Sequence, residues 1–141
     1  ILANSKQITV DEKVRFKNKR TGRVYDDIAL EFLSNEQTGA PGWVCKPLLC
    51  DYIAYAIAPL GRCYLMPVVQ RQTAWKKHGD WILNQSGFPI IRARNVTPSG
   101  FYDTVSVCMK PDDLMRFINS AMQVDFTPHD QPELETIGGA Q

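Results

Sequence analysis

Between Ile8 and Phe16 apolar and polar residues alternate almost one by one. Ile8, Val10, Val14 and Phe16 occupy even positions, and Thr9, Asp11, Lys13 and Arg15 occupy odd ones. On a helix, which turns about 100° per residue, this pattern would scatter the apolar groups around the circumference. On an extended strand, where successive side chains leave opposite faces, it sorts them onto one side. The segment therefore predicts a half-buried strand, with one irregularity. Glu12 falls on the apolar side, where a carboxylate needs a partner or a metal ion, unless a bulge re-aims it. The polar run Lys17-Asn18-Lys19-Arg20-Thr21-Gly22-Arg23 then reads as a loop that folds the chain back. A second strand is expected over Val24 to Leu33, with Ile28, Leu30 and Phe32 on its apolar face and Asp27, Ala29 and Glu31 opposite. The two strands predict a hairpin.

The remaining punctuation divides the chain into short elements. Ser34 to Gly42 is a loop by composition. Cys50 to Ala58 is apolar and aromatic, as a buried strand would be, and Pro59-Leu60-Gly61-Arg62 turns it toward a partner at Cys63 to Pro67. Val68 to Leu83 has helical spacing. Pro89 to Asn95 and Tyr102 to Met109 are strand-like on either side of Pro98-Ser99-Gly100. Pro111 suits the first position of a helix, with Asp112 and Asp113 in its first turn and Leu114, Phe117, Ile118 and Ala121 as the buried stripe. The expectation is an α+β layout of about six strands and two helices. It forms a single domain over residues 1–126, with a flexible acidic tail over 127–141.

Charge is balanced overall, with a net charge of +1, so affinity for phosphates would have to come from local clustering. Such a cluster exists: Lys6, Lys13, Arg15, Lys17, Lys19, Arg20 and Arg23 crowd the first strand and loop, and no Lys or Arg follows Arg116. The four cysteines, Cys45, Cys50, Cys63 and Cys108, form no CxxC pair and have apolar neighbours. They read as reduced thiols of a cytoplasmic protein, not as a zinc site. No apolar run is long enough to span a membrane and no signal peptide is visible, so no membrane association is expected.

The residues best suited to chemistry are Asp11, Glu12, Lys13 and Glu31. Within a strand, Asp11 and Lys13 share a face about 7 Å apart, and an even register across the expected hairpin adds Asp27 and Glu31 to that face. Carboxylates and water suit Mg²⁺ or Mn²⁺. Such an ion polarises a phosphate and acidifies an attacking water, while Lys13 would position that water or stabilise the developing charge. The plainer alternative is a cross-strand ion pair on an outer face.

Asp11-Glu12-Lys13-Val14-Arg15 resembles the (D/E)xK strand of the PD-(D/E)XK nuclease-like superfamily. The resemblance extends through Tyr25-Asp26-Asp27-Ile28-Ala29-Leu30-Glu31, Thr38-Gly39, Pro41-Gly42-Trp43 and Asp51-Tyr52-Ile53-Ala54-Tyr55, as in a small phage and bacterial branch. It covers about Thr9 to Trp75. It implies a restriction-endonuclease-like central mixed sheet flanked by helices, and Mg²⁺- or Mn²⁺-dependent phosphodiester cleavage with DNA as partner; a homodimer is an admissible assembly. Asp11 or Glu12 would be the second acid of the motif, Lys13 its lysine and Glu31 an auxiliary acid, so that Asp11, Glu12 and Glu31 are the expected metal ligands. Arg15, Lys17, Lys19, Arg20 and Arg23 are the expected DNA contacts. The family's first acid lies on a preceding strand. Residues 1–8 contain none, so that acid is expected before Ile1, or the chain is a non-cutting derivative that grips DNA or a protein.

Overall fold

The computed structural model describes residues 6–128. Within them the chain runs β1 (Val10–Arg15), β2 (Ile28–Asn35), a two-residue β3 (Ala40–Pro41), β4 (Tyr52–Ile57), β5 (Arg62–Pro67), α1 (Val68–Asn84), β6 (Ile90–Thr97), β7 (Gly100–Met109), α2 (Pro111–Phe117) and β8 (Met122–Asp125). The fold is α+β with two four-stranded sheets. The first has the order β1-β4-β5-β8 and is mixed, because β1 runs parallel to β4 while the other pairs are antiparallel. The second, β3-β2-β7-β6, is antiparallel throughout.

The local rules hold where breakers are strong. A 3₁₀ turn at Ala58–Leu60 joins β4 to β5 and ends on Gly61 in the left-handed region, φ +61°. A Cβ at Gly61 would also lie 2.2 Å from the Phe126 carbonyl oxygen, so glycine is required there by conformation and by space. Pro111 opens α2, with Lys110 before it in extended conformation, and Asp112 and Asp113 sit near the positive end of the helix. One apolar cluster joins the two sheets and both helices. Ile53, Tyr55, Ile57, Tyr64 and Met66 come from the first sheet; Ile28, Leu30, Val107 and Met109 come from the second; Val68, Ala74, Ile82 and Leu114 come from the helices.

Three expectations change. β1 and β2 do not form a hairpin: β1 pairs with β4 and β2 with β7, and the two belong to different sheets. A parallel partner 42 residues away leaves no mark on the local pattern. The apolar side of β1 is also its outer side: Ile8, Val10 and Val14 are 57%, 47% and 51% exposed. Alternation defines two faces but does not say which is covered. That is decided by β4, whose buried Ile53, Tyr55 and Ile57 stand in register with Asp11, Lys13 and Arg15. The count of strands rises to eight because β3 and β8, at two and four residues, are too short to show a period. Most of the expected acidic tail lies outside the described residues.

Candidate active site

Parallel neighbours in register point their side chains to the same side of a sheet. The pairings Asp11 with Ile53, Lys13 with Tyr55 and Arg15 with Ile57 therefore turn the charged side of β1 inward, toward β2. Asp11 and Lys13 are half-buried and form an ion pair at 3.0 Å. Glu31, also half-buried, reaches the same region from β2. Burial pushes its carboxyl above the ordinary value. The nearby Lys13 and Lys46 ammonium groups and a hydrogen bond from the Trp43 backbone N–H oppose that rise without cancelling it. Lys13 thus stands between one carboxylate of its own strand and another from the second sheet.

The neighbourhood of Glu31 is built by the turn at residues 42–46. Cys45 N–H and Lys46 N–H both donate to the Gly42 carbonyl, at 3.1 and 3.2 Å, closing a single helical turn. Gly42 N–H donates to Phe32 O at 2.9 Å and Val44 N–H to Glu31 O at 3.1 Å, which fastens the turn to β2. The approach is so close that a Cβ on Gly42 would lie 2.3 Å from Glu31 O and 2.8 Å from its Cγ. Trp43 is buried against Tyr55, with ring centroids 6.3 Å apart, so it caps the core and is not offered to a base. A second tie crosses beside the site: Ala29 N–H donates to the Tyr55 hydroxyl at 3.0 Å, linking the strand next to β1 with β2 two residues before Glu31.

Glu12 is separated from this group. It is exposed on the outer face of β1, where its charge raises the Cys63 thiol pKa, after burial as the main cause. It does not share the face of Asp11, Lys13 and Glu31, because a one-residue step along a strand reverses direction.

The basic loop is ordered by Asn18. Its side-chain oxygen accepts from Arg20 N–H at 2.9 Å and Thr21 N–H at 3.0 Å, and its backbone exchanges hydrogen bonds with Arg23 and Gly22. Arg20 and Arg23 are exposed, as is Lys19, while Lys17 is half-buried. Arg23 lies 5.2 Å from the Tyr25 ring. Arg15 differs from the expectation of an open DNA contact: it is ion-paired with Asp27, donates to the Asp27 carbonyl at 2.8 Å and lies 4.1 Å over Tyr25. Its role is to tie β1 to the entrance of β2. Arg92 and Arg94 are likewise committed, to Glu36 and Asp103.

No family model, curated protein or solved structure matches the chain. The geometry carries the functional reading. Among the described residues no three His, Cys, Asp or Glu side chains converge on a point that could hold a metal ion. The inner-side carboxylates beside Lys13 are Asp11, its ion-pair partner, and Glu31, coupled to it electrostatically, while Asp27 is held by Arg15. Hard oxygen ligands of that number fit Mg²⁺, which is commonly held by one or two carboxylates and otherwise keeps water or takes substrate phosphate. Glu12 is excluded from such a set by its direction. Two neighbouring cations, Lys46 and Arg71, read in the sequence as ordinary surface residues that could line a phosphate path; Arg71 is instead buried. Lys46 lies in an irregular turn whose path local pattern does not reveal. Arg71 carries a faint signal: it falls three residues after Val68 and three before Ala74, on the buried stripe of α1. Among the described residues no helix is long and apolar enough to cross a membrane.

Proposed function

We propose that the chain is a metal-dependent nuclease that hydrolyses DNA phosphodiester bonds, built on a restriction-endonuclease-like arrangement and encoded by a phage or mobile element. The observation that carries this reading is Lys13 paired with Asp11 at 3.0 Å and electrostatically coupled to Glu31 from the other sheet. The mixed first sheet and the acid-x-lysine strand agree with the resemblance described above. Mg²⁺ or Mn²⁺ held by Asp11 and Glu31 would supply Lewis-acid polarisation of the phosphate. Lys13 offers a compact ammonium to a non-bridging phosphate oxygen, where negative charge grows in the transition state. Lys46 adds a second positive charge near Glu31. Lys17, Lys19, Arg20 and Arg23 would meet the DNA backbone through charge, a term that weakens with salt. The four free thiols agree with work in the cytoplasm, and a homodimer would present two such sites to a duplex.

A second reading keeps the grip on DNA without the cut. It is favoured by the small donor set and by the engagement of Lys13 with Asp11. One experiment separates the two. Supercoiled and linear DNA are incubated with the protein in Mg²⁺ or Mn²⁺, beside Lys13→Ala. Cleavage by the parent that disappears in the variant supports the nuclease. Cleavage that survives in Lys13→Ala removes the site assignment. Salt-sensitive binding without cleavage in either ion favours the second reading.

A further inference from the structure

Arg71 is 1% exposed on α1, yet its hydrogen-bond partners are backbone carbonyls and not a carboxylate. Nη1 donates to Trp43 O at 2.8 Å, Val44 O at 2.5 Å and Lys46 O at 3.1 Å, and Nη2 donates to Lys46 O at 3.1 Å; Nε has no partner. A fixed cation is costly to bury. Here it is spent on the last carbonyls of a single turn, the end where backbone dipoles present negative charge. That turn is the one pressed onto Glu31: Val44 N–H bonds Glu31 O, and Gly42 has no room for a Cβ between itself and the Glu31 backbone.

We infer that Arg71 is a positioning residue for Glu31: from α1 it clamps the 42–46 turn, and the clamped turn holds Gly42 and Val44 against the Glu31 backbone and Cγ, which fixes where the carboxylate leaves β2. The inference rests on the nuclease reading only for its catalytic consequence; the clamp is a property of the fold. Arg71 touches neither carboxylate of the site, and its effect passes through the turn. Charge-assisted bonds to three carbonyls are strong enough that losing them should release the turn without unfolding the sheets. A guanidinium fork can reach several carbonyls together, whereas a lysine brings one nitrogen.

The test compares the parent chain with Arg71→Met, which keeps length and removes the charge, and Arg71→Lys, which keeps the charge. Amide exchange is followed at Trp43, Val44, Cys45 and Lys46. The nuclear Overhauser contact between the Gly42 α protons and the Glu31 γ protons is followed beside it. In the parent that contact should be strong. In Arg71→Met the turn amides should exchange at least about tenfold faster than in the parent, and the Gly42–Glu31 contact should weaken. Arg71→Lys should fall between, and it provides the measurement if Arg71→Met fails to fold. A residue that merely supports stability would lower the melting temperature and leave the Gly42–Glu31 contact intact. Unchanged turn exchange and an unchanged Gly42–Glu31 contact in a folded variant overturn the inference. Mn²⁺-induced broadening of the Asp11 and Glu31 signals, measured alongside, judges the nuclease reading separately: absence of broadening in the parent defeats that reading while the exchange data still decide the clamp.

Discussion

Replacing Tyr55 by phenylalanine removes one oxygen atom and no hydrocarbon, which makes it a clean probe of how the sheets are held together. The Tyr55 side chain is 5% exposed, and its hydroxyl accepts the Ala29 N–H at 3.0 Å. In Tyr55→Phe the shape of the core is retained, but the Ala29 amide loses its acceptor at a partly buried position. Leaving one buried donor unsatisfied costs about 1–3 kcal/mol. Loss of the hydroxyl's own desolvation returns part of this, so a destabilisation of about 1–2 kcal/mol is expected. With a urea slope of about 2 kcal/mol per molar for a domain of this size, the unfolding midpoint should fall by roughly 0.5–1 M. The slope itself should not change, because the same surface is exposed on unfolding. Urea denaturation followed by tryptophan fluorescence measures both quantities. A midpoint unchanged or raised in Tyr55→Phe would refute the idea that this phenol is the strut between the sheets. Because Tyr55 stands in register with Lys13, and Ala29 precedes Glu31 by two residues, the variant should also loosen the coupling of Lys13 to Glu31.

Other consequences can be measured in the same way. Glu31→Gln should be more stable than the parent at neutral pH. The raised carboxyl means that the folded state keeps a proton the unfolded chain has released, so parent stability falls as pH rises from about 4.5 through the folded value; stability curves of the two proteins should converge below that window. Asp103 behaves in the opposite sense. Arg94 first, and then Gln37, hold its carboxyl below 3.8, so its contribution is present above that value and fades as pH falls through the lowered one; Asp103→Asn should flatten the acid limb of the stability profile. Gly42→Ala should destabilise by about 1–3 kcal/mol, since the new methyl meets Glu31 backbone atoms that cannot rotate away; thermal melting no lower than that of the parent would contradict the tight approach.

The elements between strong breakers were legible in the sequence. The pairs β4–β5 and β6–β7 and both helices occur within a few residues of where glycine, proline and periodicity predicted them. The first strand was legible as a strand but not as a position. Its apolar alternation suggested a buried even face, whereas the side that looks inward carries Asp11, Lys13 and Arg15. That reversal is decided by a partner strand far along the chain, which local pattern cannot name. The same reversal separates Glu12 from the candidate site. Asp11, Lys13 and Glu31 were anticipated to share a face through a hairpin register. Instead Asp11 and Lys13 lie on one sheet and Glu31 on the other, with Lys13 coupled electrostatically to Glu31 and Tyr55 tying the two sheets nearby. Lys46 and Arg71 read as surface cations that could line a phosphate path; the burial of Arg71 follows from its place on the inner stripe of α1, and the nearness of Lys46 to Glu31 from an irregular turn that local pattern does not trace.

The parallel contact between β1 and β4 has a kinetic consequence. Thr9 and Asp51, which fasten the start of that contact, are 42 residues apart, and the chain between them passes through β2 and β3 of the other sheet. Closing such a long loop costs chain entropy before any ladder bond can offset it, whereas the short turn between β4 and β5 closes at little cost. The lysine-bearing strand should therefore dock last during refolding, onto a scaffold already assembled, and as the edge strand of its sheet among the described residues it should be the first to detach under mild denaturation. The pairing of Asp11 and Lys13 with the neighbourhood of Glu31 would then appear after the bulk of tertiary structure and vanish before it.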